Sequence, residues 1–189
     1  MQDNKYDGIT ITSDGQFKFV SYDISEALNQ DNPRNAFLNG QLFIEMQCDL
    51  LLVQYFCKGN TGTDNRRRTL FSNFLKSRDV DYFTKIKLLK TLEFISSKGV
   101  KKILDKKVYT SLKAVGAVRN AFHHNLEYED ALNFLTNGDK FVFASRESKL
   151  LSSYTDVKTL KRDFVSEAYS LYSALHELSH EMENQKNNF

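Results

Sequence analysis

The sequence predicts a mainly α-helical fold: a bundle of four or five principal helices with a short N-terminal β-hairpin. Three observations support this prediction. Apolar residues recur at steps of three and four over long segments, as the buried face of a helix requires. The chain contains 1 proline and 8 glycines, too few for a turn-rich all-β fold. Residues 34–57 are apolar almost all round, which is typical of a central helix.

The 189 residues fit one domain, 1–189, with a sizeable core. Residues 8–20 predict a hairpin appended to that domain. Ile9 and Ile11 alternate with threonines before a Ser-Asp-Gly turn, and phenylalanines alternate after it. A hairpin this short is marginal alone, so we expect it to pack on the helices or on a partner.

Residues 34–125 are expected to hold the core helices. The periodicity predicts four of them, at 34–57, 67–76, 81–96 and from about Lys106 to the end of this segment. Residues 58–63, Lys-Gly-Asn-Thr-Gly-Thr, predict a flexible loop between the first two.

The part of the chain after Asn125 predicts a polar segment, a short strand at 140–144 and a last helix over 156–185. That helix carries a regular apolar stripe from Val157 to Met182. The stripe is compatible with docking inside the chain and equally with a two-helix seam between subunits.

The end of the fourth core helix places a permanent cation beside two imidazoles, in the run Arg119-Asn120-Ala121-Phe122-His123-His124-Asn125. The apolar steps from Val108 through Leu112 and Val115 continue onto Arg119. A guanidinium on such a stripe is rare unless it is paired or functional. Next to an imidazole that titrates near neutrality, it suits the handling of a phosphate group.

A structural reading of the same run is a helix C-terminus stabilised by cations. Arginine and histidine offset the negative partial charge at that end, and Asn125 is a suitable cap. The position of Arg119 on the core-facing stripe favours the functional reading, because a cation that only caps the helix has no reason to lie there.

Arg-Asn, three further residues and His resembles the signature of the HEPN superfamily, helical domains many of which are metal-independent ribonucleases. The match is strongest over residues 82–125. It looks most like the branch that includes mannitol-repressor-like and DUF4145-type proteins. The resemblance implies an HEPN-like helical bundle, no cofactor, and a homodimer in which two copies of the motif build one site.

The resemblance also implies roles for the motif residues. Arg119 would bind the scissile phosphate, His124 would move protons, and Asn120 matches the polar residue that commonly follows the arginine. His123 is additional to the family pattern. On an ideal helix the i,i+4 spacing puts His123 nearer the Arg119 face than His124, so either imidazole remains open as the working one.

A basic cluster precedes the motif. Nine lysines lie between Lys85 and Lys113, although the net charge of the chain is only +2. Such clusters supply sequence-independent affinity for phosphates, and a solvated helix face explains them equally well. The candidate RNA-binding residues are Lys101, Lys102, Lys106, Lys107 and Lys113.

Glu45 and Asp49 stand four apart on the otherwise apolar 34–57 helix. Buried carboxylates need partners, and Arg119 is the expected partner for one of them. Such a pair either orients the guanidinium for catalysis or joins the helices of the bundle. We favour the structural role for both residues.

Two patterns that suggest metal chemistry are weak. His176-Glu177-Leu178-Ser179-His180 matches the H-E-x-x-H zinc-protease pattern, but both histidines project opposite the apolar stripe of the last helix. A protease site instead buries its histidines and takes a third ligand. Cys48 and Cys57 look like buried thiols. We therefore expect no metal site, and a zinc metalloprotease is a remote alternative.

The chain has no run of the ~18 apolar residues that suggest a membrane span. Its start lacks the order of a signal peptide, so we expect a cytoplasmic protein that uses no membrane. The resemblance implies an endoribonuclease that cleaves RNA through attack of the 2′-hydroxyl, and a toxin or defence enzyme is one such ribonuclease. Its partners would be RNA, a second copy and a cognate antitoxin or regulatory protein. The alternative is a non-catalytic regulatory or protein-interaction module.

Overall fold

The computed structural model describes residues 10–11, 17–18, 24–57, 62–77, 79–96, 99–125, 127–137, 141–144 and 149–186. Within these ranges the fold is mainly α-helical, as the sequence predicted. The helices are α1 (Ile24–Leu28), α2 (Pro33–Phe56), α3 (Gly62–Leu75), α4 (Tyr82–Thr91), α5 (Lys106–His124), α6 (Tyr128–Asn137) and α7 (Val157–Lys186). Helix-on-helix packing therefore forms the core.

The described strands are short and pair as three antiparallel ribbons. They are β1 (Thr10–Ile11) with β2 (Phe17–Lys18), β3 (Glu93–Ser96) with β4 (Gly99–Lys102), and β5 (Val142–Phe143) with β6 (Lys149–Leu150). The first pair lies inside the predicted hairpin at 8–20, with Ile11 opposite Phe17. The predicted Ser-Asp-Gly turn lies outside the described residues, so the hairpin as a whole stays a prediction.

Helix α2 is the centre of the fold. The side chain of Asn32 accepts a hydrogen bond from the Arg34 N–H at 2.9 Å, and Pro33 occupies the first turn. Helices α7, α5 and α4 pack around it. Among the described helices, α2 alone has the length and mean hydropathy, 1.2, to cross a membrane, yet 67% of that segment is buried inside the fold. Such burial is typical of a core helix.

Helix α7 packs along α2 and completes the core. Phe164 of α7 meets Phe37 of α2 edge-on, with ring centroids 4.9 Å apart, and Phe37 also contacts Phe122 of α5 at 4.6 Å. The apolar stripe of α7 is buried at Leu160, Phe164, Ala168, Leu171, Leu175, Leu178 and Met182. The stripe therefore docks inside the chain, and a seam formed by it between subunits is wrong because α2 already covers that surface.

Two predicted boundaries are wrong. The helix predicted at 81–96 ends at Thr91, and the chain continues as β3. Alternation explains the change, since Phe94 is buried whereas Ile95 is 66% exposed, a period of two rather than 3.6. The loop predicted at 58–63 is also too long, because α3 begins at Gly62; residues 58–61 lie outside the described part of the chain.

Helix α6 is a third difference, because the sequence predicted only a polar segment there. Glu129 and Asp130 lie in its first turn, where acidic side chains offset the positive end of the helix dipole. Ala131 and Leu135 lie four apart and are buried. This apolar face is short, so an otherwise polar composition hides it.

Gly40 of α2 allows Leu28 and Phe164 to approach the helix, and Gly40→Ala tests this contact. An added Cβ would lie 2.5 Å from Leu28 Cδ2 and 2.8 Å from Phe164 Cε1. Alanine gains ~1 kcal/mol of helix propensity over glycine, but overpacking a core costs ~1–3 kcal/mol. We expect a lower free energy of unfolding in urea titrations.

Asn35→Ala, at an exposed position of the same helix, is the control and should be as stable as the wild type or slightly more stable. Equal stability of Gly40→Ala and the wild type would contradict the tight packing.

Candidate functional site

A cleft of about 290 Å³ opens between α2, α4 and α5. Residues from all three helices and from the segment before α4 line it: Gln41, Glu45, Ser77, Val80, Asp81, Tyr82, Phe83, Gly116, Arg119 and Asn120. Two of the predicted catalytic residues, Arg119 and Asn120, therefore share one recess. His123 and His124, the other two, do not line it.

Close approach of α4 to α5 forms the wall of this cleft. The hydroxyl of Tyr82, the first residue of α4, donates a hydrogen bond to the Leu112 carbonyl at 2.8 Å. The absence of a side chain at Gly116 makes room for that ring, since a Cβ there would lie 2.7 Å from Tyr82 Cε1. Asp81 fixes the start of α4 by accepting from the Thr84 N–H at 2.6 Å. The aromatic wall thus lies one helical turn from Arg119.

Arg119 is half-buried, and only part of its guanidinium is bonded. Its Nη1 donates to Asn120 Oδ1 at 3.0 Å. Its Nε is buried and has no hydrogen-bond partner, and the same holds for Ser77 Oγ in the same cleft. Buried donors without partners cost free energy, so each of these two groups gains from any water or oxyanion that reaches it.

The carboxylates of Glu45 and Asp49 bind Lys85 of α4. Lys85 Nζ lies 2.7 Å from Glu45 Oε1 and 2.9 Å from Asp49 Oδ1, and Gln41 Nε2 donates to Glu45 Oε2 at 2.7 Å. The prediction that Arg119 pairs with one of these carboxylates is therefore wrong, since Lys85 takes that place. The structural role favoured for the two residues agrees with this geometry, which ties α2 to α4.

One cation serves two carboxylates in this cluster, and the pKa values of Asp49 and Lys85 reflect it. Burial raises the pKa of Asp49 to about 6, although the charge and hydrogen bond of Lys85 act in the opposite direction. Burial lowers the pKa of Lys85, but its hydrogen bond to Glu45 and the charge of Asp49 outweigh burial and raise that pKa overall. Lys85 therefore stays charged inside the fold and is unavailable to an external phosphate.

His123 and His124 are exposed at the C-terminal end of α5. Their ring centroids lie 4.8 Å apart, with the rings edge-on. The nearby Arg119 guanidinium lowers the pKa of His123, with smaller effects of burial and of His124. A lowered pKa keeps His123 neutral near pH 7, the form that accepts a proton. His123, four residues after Arg119 on the helix, is therefore electrostatically coupled to Arg119.

Asn125 and Arg34 together close the helix end that carries the histidines. Asn125 is the C-cap, as predicted, and its Nδ2 donates to the Ala121 carbonyl at 2.7 Å. Arg34 at the start of α2 donates from Nη2 to the Asn125 carbonyl at 2.9 Å. A cation at this end offsets the negative end of the helix dipole, so Arg34 positions the motif from another helix.

The candidate RNA-binding lysines do not gather around the motif. Lys106 and Lys107 begin α5, about 20 Å from Arg119 at ~1.5 Å of rise per residue. Lys101 and Lys102 lie on β4, where Lys101 pairs with Glu181 at 3.1 Å. Lys113 lies 5.0 Å from the centre of the Phe141 ring, on another side of α5.

The other sequence patterns lie away from the cleft. His176 and His180 are exposed on α7, as the stripe predicted, with ring centroids 4.4 Å apart. Cys48 and Cys57 are buried free thiols, also as predicted. Within the described ranges, no three His, Cys, Asp or Glu side chains come together as a metal site.

Three residues that shape or line the site were not predicted from the sequence: Lys85, Ser77 and Arg34. Lys85 had a detectable signal, because Tyr82, Ile86 and Leu89 place it on the buried face of α4. Ser77 and Arg34 gave no such signal, since their positions depend on how separate helices meet.

Comparison of the chain with protein-family models, curated proteins and solved structures gives no match. The functional argument therefore depends on the residues of this cleft and of the helix end beside it.

Lys85→Met is expected to destabilise the fold strongly. Removing the cation leaves Glu45 and Asp49 without their shared partner in a mostly buried place, and breaking a buried pair in this way costs roughly 3–5 kcal/mol. Urea unfolding measures the loss. Adding Asp49→Asn to Lys85→Met should restore part of the lost stability, because it removes one of the two carboxylate charges left without a cation.

The matched control is Lys87→Met, which makes the same change at an exposed site of α4. We expect its free energy of unfolding to stay within about 0.5 kcal/mol of wild type. A Lys85→Met loss no larger than that of the control would disprove the internal role of Lys85.

Arg119→Gln is expected to raise the pKa of His123 towards its ordinary value, because the guanidinium is the main cause of its depression. A titration of the imidazole C–H resonances by NMR measures this shift without any substrate. His176 and His180, on α7, serve as internal controls and should titrate unchanged. An unaltered His123 titration in Arg119→Gln would show that the two groups are not coupled.

Proposed function

We propose that this protein is a metal-independent endoribonuclease of the HEPN type that acts in the cytoplasm as a homodimer. One observation carries the proposal: Arg119, whose buried Nε has no hydrogen-bond partner, lines a cleft beside the helix end that carries two exposed imidazoles. The resemblance of residues 119–124 to the HEPN signature supports the same chemistry.

Arg119 is the phosphate-binding group of this proposal. Charge-assisted hydrogen bonds from a guanidinium suit a phosphoryl group, and they strengthen as negative charge builds on its oxygens in the transition state. Asn120 holds one side of the guanidinium through the 3.0 Å hydrogen bond. The rest of the half-buried guanidinium remains for the substrate, in the cleft that Ser77 also lines.

His123 is the base of this proposal. As the neutral imidazole, it takes the proton of a ribose 2′-hydroxyl, and the 2′-oxygen then attacks the adjacent phosphorus. The bond from phosphorus to the 5′-oxygen breaks, and that oxygen leaves with a proton from a histidine acting as acid. The products end in a 2′,3′-cyclic phosphate and a 5′-hydroxyl. DNA lacks the attacking hydroxyl and resists cleavage.

The acid comes from the partner subunit in this proposal. In-line displacement puts the attacking and leaving oxygens on opposite sides of the phosphorus. The rings of His123 and His124 lie 4.8 Å apart, too close to flank a phosphoryl group from both sides. A twofold axis near the motif supplies a second pair of imidazoles, since an isologous interface brings the same patch together from both subunits.

A ribonuclease of this kind needs control inside the cell that makes it. The proposed setting is therefore a toxin or antiviral-defence system in which a cognate antitoxin or regulatory protein holds the enzyme inactive.

A second candidate is a non-catalytic interaction module, and one observation favours it. Phe56, Leu70 and Phe74 are 48%, 60% and 55% exposed, and Phe71 lies between Phe56 and Phe74 with centroid distances of 5.4 and 6.2 Å. An exposed apolar cluster on α2 and α3 is typical of a protein-binding surface. This candidate predicts folded protein that leaves RNA intact.

RNA cleavage in excess chelator tests the proposal. Wild-type protein should cut RNA into products with 2′,3′-cyclic phosphate ends, which chromatography and mass spectrometry identify. Arg119→Ala and His123→Ala should each lose ~10²–10⁴-fold in rate, as expected for removal of a charge-stabilising or proton-transfer group. The double variant His176→Ala/His180→Ala removes two exposed imidazoles from α7 and should cleave like wild type.

Variants that lose activity must keep the wild-type circular dichroism spectrum and melting temperature. Loss with His124→Ala but not with His123→Ala would move the base to His124, as the family pattern implies. Intact RNA after incubation with wild-type protein would refute the nuclease proposal in favour of the interaction module. An active protein with a monomeric mass by light scattering would remove the partner's histidine from the mechanism.

A further inference from the structure

A second concavity, of about 910 Å³, lies beside the motif. The loop before α2, the start of α6 and the first turns of α7 surround it. Its volume lies at the upper end of the ~300–1,000 Å³ typical of ligand pockets, and it is open along one side like a groove. None of the predicted site residues lines it.

Cations dominate the α7 side of this groove. Lys158, Lys161 and Arg162 line it at the i, i+3 and i+4 positions of one helix face. Two carboxylates also line the groove. That of Asp156 is turned to the helix start, where Oδ1 accepts from the Thr159 N–H at 2.7 Å, while Asp31 is exposed. Three cations against two carboxylates leave the lining with an excess of one positive charge. Lys161 Nζ also donates to the Gln30 carbonyl and Arg162 Nε to Asp163 Oδ1 at 3.0 Å, so their remaining N–H groups and Lys158 are the donors for a ligand.

Tyr128 lies between the groove and the motif. The Tyr128 ring lines the groove, is 37% exposed and lies 5.8 Å from the Phe122 ring of the motif. The guanidinium carbon of Arg34, which bonds the carbonyl of the α5 C-cap, lies 5.7 Å from the same ring. Cations and an exposed aromatic ring therefore line one groove, and that ring contacts the motif helix.

We propose that this groove binds single-stranded RNA next to the scissile phosphate, an inference that rests on the proposed function. Lys158, Lys161 and Arg162 contact backbone phosphates, and Tyr128 stacks on a base. Single-strand sites combine these two elements, a basic track and aromatic faces. In this proposal the groove, and not the lysines predicted from the sequence near the other end of α5, is the RNA-binding surface.

Binding of a fluorescein-labelled 2′-O-methyl RNA oligonucleotide tests the inference, because the methyl group blocks cleavage. The groove variant is Lys158→Gln/Lys161→Gln/Arg162→Gln, and the control variant is Lys102→Gln/Lys106→Gln/Lys107→Gln, which removes the same charge. By fluorescence anisotropy, the groove variant should lose about tenfold or more in affinity. The slope of log affinity against log salt should become shallower by ~2, because each of the three lost phosphate contacts on a single strand contributes ~0.7. The control should change the affinity by less than about threefold.

Tyr128 is tested separately from charge. Tyr128→Leu should weaken binding with an unchanged salt dependence, whereas Tyr128→Phe keeps the ring and should bind as the wild type does. If the triple variant fails to fold, Lys158→Gln alone, at an exposed position of α7, should still lower the affinity and the salt slope.

Equal losses in the groove and control variants would overturn the inference, and so would absence of binding by the wild-type protein. The outcome also separates it from the nuclease proposal. A protein that binds through the groove but cleaves nothing refutes catalysis alone, whereas cleavage with groove-independent binding refutes the groove alone.

Discussion

A helix that is buried on all sides has to find partners inside the fold for the polar side chains it carries. Helix α2 is buried over most of its surface, so the same demand applies to it: one lysine on α4 binds Glu45 and Asp49, and Gln41 donates to Glu45. Near its other end Gln54 bonds Ser179 of α7 at 2.9 Å. These pairings fix where α4 and α7 lie against α2. The positions of the cleft wall and of α5 then follow from the placement of α4.

The same pairings explain why Arg119 is not the counter-ion of these carboxylates. An arginine next to two buried carboxylates is usually their counter-ion, with its hydrogen-bonding capacity used up. Here Lys85 meets that demand, and Arg119 shares only its Nη1 with Asn120. The structural cation and the cation that faces the cleft are therefore different residues. A guanidinium in a helical bundle can bind a substrate only if another cation pairs with the buried carboxylates, because a fully paired guanidinium has no hydrogen-bond donors left.

Periodicity predicted α2, α5 and α7 well, because each buries a long apolar face that is visible in the sequence. It failed where a residue's state depends on distant partners. Lysine is usually a solvated side chain. Lys85 is buried because it binds Glu45 and Asp49, which lie 40 and 36 positions earlier in the chain. The strand β3 continues the apolar pattern of α4, and its extended form depends on pairing with β4. The groove beside the motif draws on three separate segments, so no local pattern contains it.

The carbonyl that ends the motif helix is held by Arg34, a residue 91 positions earlier in the chain. The cover of α2 comes from α7, more than a hundred positions later. During synthesis α2 therefore emerges from the ribosome long before α7, which packs on it. Until α7 is made, α2 exposes an apolar surface of the kind that chaperones bind. Contacts of such long range form late in folding. The nascent chain thus passes through a period in which the motif is already translated but α2 still lacks its cover, and the motif helix is assembled only after α7 has been synthesised.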